Sequence, residues 1–213
     1  MSETEGVIKY RLDFLPGDAP ARSHQLGQLD AWRSILHRLG LVGQTPGRYD
    51  GYGFGNVSVR AGDGFVISGT QTGRPEALGM AGYAVVTACD PASNAVAATG
   101  PVKPSSESLT HGTVYGLDAA IGCVLHVHSP DIWQQRHHLG LPCTAADVPY
   151  GTPAMARAVQ ALYRDTGLRC GRVFAMDGHA DGVVAFGEDP GHAGQALLAV
   201  LAESLRRSAT PPS

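Results

Sequence analysis

Ile121-Gly122-Cys123-Val124-Leu125-His126-Val127-His128, followed by Ser129, is a β-branched, apolar run of strand length. Side chains on a strand alternate between faces, so His126 and His128 leave the same face, close enough to share one ion. Upstream, Pro104-Ser105-Ser106-Glu107 offers a carboxylate; downstream, Gly178-His179-Ala180-Asp181-Gly182 offers a third imidazole. Three imidazoles and a carboxylate around one point are the donor set of a catalytic metal centre, suited to Zn²⁺ or another divalent transition ion. Taken alone, a His-x-His pair is more often two polar residues on a solvated face. His179 is the preferred third ligand among nine histidines because it lies in a turn between two predicted strands, beside glycines that permit close backbone approach. His111 follows Glu107 by one helical turn and reads as a helix-surface histidine, with a partner role for Glu107 as the alternative. His137 and His138 read as exposed.

The remaining chain supplies a fold around that strand. Residues 7–15 alternate and end at Pro16-Gly17, an expected N-terminal strand. Ser23 reads as the cap of a helix whose apolar face is Leu26, Leu29, Trp32, Ile35, Leu36 and Leu39, ending at Gly40. Strands are expected at 56–60, 64–68 and 83–89, the first two joined by a hairpin at Asp63-Gly64. Ser105-Ser106-Glu107 is expected to open a helix, with a serine cap and a carboxylate in its first turn. Helices at 155–163 and 193–205 and strands at 172–176 and 183–186 complete the pattern. Interspersed strands and helices with an early hairpin predict a three-layer α/β/α sandwich around a central mixed, mostly antiparallel sheet. The expected division is an N-terminal extension or strand at 1–22, one domain at 23–207 and a disordered tail at 208–213.

Bulk properties narrow the function classes. The chain has 213 residues, 43% hydrophobic, which suits one globular core. Net charge is −3 with no basic run, so neither a nucleic acid nor an anionic membrane is expected as partner. No apolar segment is long enough to span a bilayer. Met1-Ser2-Glu3-Thr4-Glu5 is acidic and lacks the apolar core of a signal peptide. Cys89, Cys123, Cys143 and Cys170 show no Cys-x-x-Cys spacing and read as reduced thiols of a cytoplasmic protein.

Gly55-Asn56-Val57-Ser58, Ile67-Ser68-Gly69-Thr70, Pro104-Ser105-Ser106-Glu107-x-x-x-His111 and His126-Val127-His128-Ser129 occur in that order, with Val148-Pro149-Tyr150-Gly151-Thr152 as a weaker fifth match. Together they resemble the class II aldolase/adducin family, which includes fuculose-phosphate aldolase and ribulose-phosphate 4-epimerase, over roughly residues 23–207. The resemblance implies zinc ligands at His126, His128 and His179 and an acid/base carboxylate at Glu107. It implies phosphate-binding loops at Asn56, at Thr70 or Thr72-Gly73, and at Ser105 with Ser106. It further implies a homotetramer and a small hydroxy-carbonyl substrate, expected to be a phosphorylated sugar, cleaved through a metal-stabilised enediolate. Decarboxylation, epimerisation and dehydration share that chemistry; a non-catalytic adducin-like interaction module and a metal-assisted hydrolase are the competing classes. Two departures stand out. Ala180-Asp181 separates His179 from Gly182, and the stretch from His128 to Pro149 lacks the tyrosine that serves the family's aldolases as proton donor.

Overall fold

The computed structural model describes residues 6–209; the readings of Met1–Glu5 and of the last four residues lie outside it. Eleven strands are formed among these residues: β1 (Arg11–Pro16), β2 (Gly43–Gln44), β3 (Gly53–Phe54), β4 (Asn56–Ala61), β5 (Gly64–Ser68), β6 (Tyr83–Asp90), β7 (Ala95–Gly100), β8 (Cys123–His128), β9 (Cys143–Thr144), β10 (Val173–Met176) and β11 (Gly182–Gly187). The helices are α1 (His24–Arg38), α2 (Ser108–Tyr115), α3 (Pro130–Gln135), α4 (Pro153–Asp165), α5 (Leu168–Gly171) and α6 (Pro190–Ser208).

Nine strands form one sheet in the order β1-β7-β6-β5-β4-β8-β11-β10-β9. The outermost pairing at each edge is parallel, and those between are antiparallel. Helices cover both faces, as expected. On one face Leu109 and Val114 of α2 and Met155 and Val159 of α4 pack with Val124, Phe174 and Val184. On the other, Leu26, Leu29 and Leu36 of α1, Ile132 of α3 and Leu197 of α6 pack with Leu125, Val127 and Val183. β8 is therefore buried throughout, which explains its continuous apolar run. Its alternation sends Leu125 and Val127 toward α1 and α6, and His126 and His128 toward α2.

Several elements depart from expectation. β1 begins at Arg11, four residues later than the alternation suggested, because Arg11–Pro16 is the part that pairs with β7. β7 itself was unanticipated. α6 continues through Ser208, one residue into the segment expected as tail. The helix expected from Ser105 starts at Ser108, with Glu107 at the cap position. Extended pairing delays it: Pro104 bridges Gly69, and the Ser105 N–H donates to Ser68 O. Ser105 caps the intervening turn instead, its Oγ accepting from the Glu107 N–H at 3.2 Å. The Ser23 cap of α1 is as expected, Oγ accepting from the Leu26 N–H at 3.1 Å.

Candidate metal centre and adjoining pocket

β8 pairs with β4 on one side and β11 on the other, and this register assembles the site. Asn56 lies opposite His126, and Gly182 opposite His128. A side chain at Gly182 would put its Cβ 2.6 Å from the His179 ring, so the glycine is what admits that imidazole. One ligand atom from each of His126, His128 and His179 lies within 4.8 Å of the other two. All three residues are buried. Burial, followed by the neighbouring His179, holds His126 and His128 well below the ordinary histidine range. Neutral imidazoles are the form that donates a lone pair to an ion.

Donor orientation at His126 fits a metal. Asn56 Nδ2 lies 3.2 Å from His126 Nδ1, while Asn56 Oδ1 and His126 Nε2 have no hydrogen-bond partner among the described residues. Turning the amide end for end lets Oδ1 accept from Nδ1–H, which leaves the Nε2 lone pair for an ion. Three buried imidazoles, with the His126 Nε2 lone pair left over, therefore fit a divalent transition ion.

Glu107 enters from the start of α2. Its Oε1 lies 3.7 Å from His179 Nε2, and Oε2 accepts from Thr110 Oγ1 at 2.8 Å. The carboxylate is buried, where a helix N-terminus favours negative charge. Beside it, Gly6, Asn56, Thr70, Gly73, Ser105 and Ser106 line one pocket with Glu107. The expected site residues outside the histidine triad thus share a wall. Close backbone packing fixes that wall: a Cβ at Gly73 would sit 2.1 Å from Gly43 O. Thr72 Oγ1 donates to Gly69 O at 2.7 Å, which leaves Thr70 the freer hydroxyl of the 68–73 loop. Arg33 also lines the pocket, but its guanidinium donates to the carbonyls of Thr72, Pro75 and Glu76, bracing the loop. Lys103 and Arg74 are exposed and do not line it.

His111 corrects the sequence reading. It is fully buried, not on the helix surface. Ser58 Oγ lies 2.7 Å from His111 Nδ1 and 2.8 Å from the Tyr115 hydroxyl, a buried polar chain one turn beyond Glu107. Burial lowers the His111 pKa to about 3. His137 and His138 are exposed, as expected.

Sequence reasoning missed several residues that pack around the site. Tyr150 packs against His179 with ring centroids 4.8 Å apart and the rings tilted by 53°, and Lys9 Nζ stands 3.6 Å from the Tyr150 centroid. Tyr10 donates to Ser105 O at 2.7 Å. Tyr49 lies against His128, centroids 4.6 Å apart. Lys9 and Tyr10 belong to a segment whose only signal was short alternation, and nothing local to Tyr49 or Tyr150 announces contact with a histidine far along the chain.

A sequence model of the class II aldolase and adducin N-terminal domain matches residues 47–206. The chain belongs to that family. The relation to the family's solved structures is one of fold. L-fuculose-1-phosphate aldolase from Thermus thermophilus superposes with a TM-score of 0.64 at 19% identity, covering 90% of this chain and 100% of that one. YgbL from Klebsiella pneumoniae, described as a putative aldolase/epimerase/decarboxylase, gives 0.63 at 17% identity, covering 89% and 91%. Among curated proteins, methylthioribulose-1-phosphate dehydratase of Sorangium cellulosum (strain So ce56) is 38% identical over 76 residues, 35% of this chain. That match spans only 34% of the relative's length. No helix among the described residues is long and apolar enough to cross a membrane.

Proposed function

We propose that this class II aldolase-family chain is a divalent-metal-dependent enzyme acting on a small hydroxy-carbonyl compound, a phosphorylated sugar being the preferred substrate class. The observation that carries the reading is the buried triad His126, His128 and His179 with the Glu107 carboxylate 3.7 Å from the third ring. In this reading the three imidazoles hold the ion, zinc being the preferred one. A bound ion supplies Lewis-acid polarisation of a carbonyl and so acidifies the carbon beside it. Glu107 takes the proton from that carbon and returns it, with Thr110 orienting the carboxylate. Thr70, Asn56, Gly73, Ser105 and Ser106 form the anion pocket, its donors being hydroxyls, an amide and loop N–H groups. Two N–H groups at the start of α2 already bond to Ser105, so the loop at 68–73 carries more of that role than the helix end. Lys9, held on the Tyr150 ring, is proposed to add positive charge to that pocket.

Aldol-type cleavage is the first reading of the reaction. Dehydration is the second, favoured by the local likeness to a methylthioribulose-1-phosphate dehydratase. A scaffold without catalysis has no use for a buried triad beside a carboxylate. The functional domain is proposed to span residues 23–207 and to assemble as a homotetramer, which light scattering tests.

Metal analysis of the purified protein is expected to find about one divalent ion per chain. Glu107→Gln should keep the ion and abolish solvent exchange of the carbon-bound protons of dihydroxyacetone phosphate, followed by NMR in D₂O. A folded chain that takes up no ion overturns the reading; unchanged exchange removes Glu107 from it.

A further inference from the structure

One departure from the family pattern, the Ala180-Asp181 pair, engages a neighbour of the triad. Asp181, one of the two residues between His179 and Gly182, accepts a hydrogen bond from the Tyr49 hydroxyl at 2.7 Å. Arg48 closes the group: one amino group donates to Gly40 O at 2.7 Å, the other to the Tyr49 hydroxyl at 3.0 Å and to His128 O at 3.4 Å. Backbone bonds lock the same three segments together. His128 N–H donates to Leu41 O, and Ser129 N–H to Asp181 O. The end of α1, the end of β8 and the turn carrying His179 are thus tied around one phenol.

That phenol faces a proposed ligand. Tyr49 meets His128 edge to face, at 4.6 Å between centroids and an interplanar angle of 72°. Phe54 touches both rings, at 5.0 Å from Tyr49 and 5.7 Å from His128, and the Arg48 guanidinium stands 4.3 Å from the Phe54 centroid. His126 is oriented through a ring nitrogen by Asn56, whereas Tyr49 and Phe54 confine the ring of His128. The backbone is bent to achieve this. Tyr49, Asp50 and Asp181 all have left-handed φ, at 48°, 55° and 63°. A bulky residue persists in that region only where its surroundings over-determine it, and such residues cluster at functional sites.

We propose that Tyr49 is a positioning residue of the metal centre: bonded to Asp181 and Arg48, it brackets His128 and holds that imidazole in the orientation an ion requires. The inference rests on the reading of His126, His128 and His179 as ligands and adds to it a group outside the ligand set. It also gives Asp181 a role, that of anchoring Tyr49, distinct from hydrogen bonding to His179.

The test uses the full-length, metal-stripped chain and Co²⁺, whose visible bands report ligand geometry. Tyr49→Phe keeps the ring contact and loses both hydrogen bonds. It is expected to melt cooperatively, to bind Co²⁺ roughly tenfold or more weakly, and to show displaced bands. Asp181→Asn tolerates left-handed backbone and retains a weaker, neutral acceptor, so its affinity should fall between the two. Wild-type affinity and spectrum in Tyr49→Phe overturn the proposal; should that variant fail to fold, wild-type values in Asp181→Asn do so. A wild-type chain that binds no Co²⁺ refutes the metal reading itself, an outcome distinct from a wild type that binds beside an indifferent variant.

Discussion

Mild acid should destabilise the metal-stripped protein far more than its small net charge suggests. Three fully buried histidines, His111, His126 and His128, have pKa values lowered by burial, that of His111 to about 3. The sign follows from linkage. A histidine that stays neutral when folded but titrates near its ordinary value of 6.5 when unfolded makes the unfolded chain the better proton binder below that value. Stability is fully present above the unfolded pKa and is lost as pH falls through it, down to the folded value. Each such group loses about 1–2 kcal/mol between about pH 7.5 and about pH 5.5, so three lose about 4 kcal/mol. For a chain of this length that is a fall of roughly 8–16 °C in melting temperature. The window lies above the ordinary carboxylate range, so exposed aspartates and glutamates contribute little to the measurement. Calorimetry of the chelated protein at steps across it measures the slope, and His111→Gln should remove about a third of the loss. A melting temperature that stays flat over the window refutes the claim that these histidines are neutral and dry in the folded chain.

Ser58→Ala removes the oxygen that serves both His111 and Tyr115, leaving two buried groups short of a partner. A loss of about 2–5 kcal/mol by denaturant melts is expected, and a loss under about 1 kcal/mol would show that the pair re-partners. Gly73→Ala forces a Cβ toward Gly43 O, so the 68–73 loop must move. The variant should lose the rise in melting temperature that inorganic phosphate gives the wild type; an undiminished rise would take that loop out of the anion pocket. Lys9→Met should keep metal uptake while weakening the stabilisation by phosphate severalfold in concentration, read from melts across a phosphate series. An unchanged series would leave the Lys9 ammonium outside the pocket's field.

What the sequence made legible was whatever a local pattern encodes. β8, α1, β4 and β5 are read from period, caps and a turn, and two of the three candidate ligands are read from the spacing on β8. What it concealed depends on partners distant along the chain. β7, Ala-Val-Ala-Ala-Thr-Gly, carries small residues with little hydrophobic contrast and becomes a strand by lying between β1 and β6. Ser105 has the chemistry of a helix cap, but pairing with Ser68 keeps its backbone extended. His111 occupies a helix position that a surface residue could fill equally well. Only the packing of α2 on the sheet, where Ser58 waits on β4, turns it inward.

The absent tyrosine after His128 acquires a physical meaning once the two tyrosines that do flank the triad are considered. Tyr49 donates its hydroxyl to Asp181, and Tyr150 donates its own to Val7 O at 3.3 Å. Both present rings to histidines and engage their hydroxyls in holding other segments. Burial, with the Asp181 carboxylate next, raises the Tyr49 pKa further from the range of a useful acid. In the proposed function Glu107 is then the carboxylate that would serve as acid and base, with one oxygen held by Thr110 and the other toward His179. A single carboxylate serves most directly those reactions in which one group removes a proton and later delivers it within its own reach. Cleavage that releases an aldehyde must also remove the proton of the hydroxyl that becomes its carbonyl, which calls for a second proton-transfer group there. Within the proposed enzyme class, this places more weight on dehydration and on proton return to the same carbon than the family name alone would.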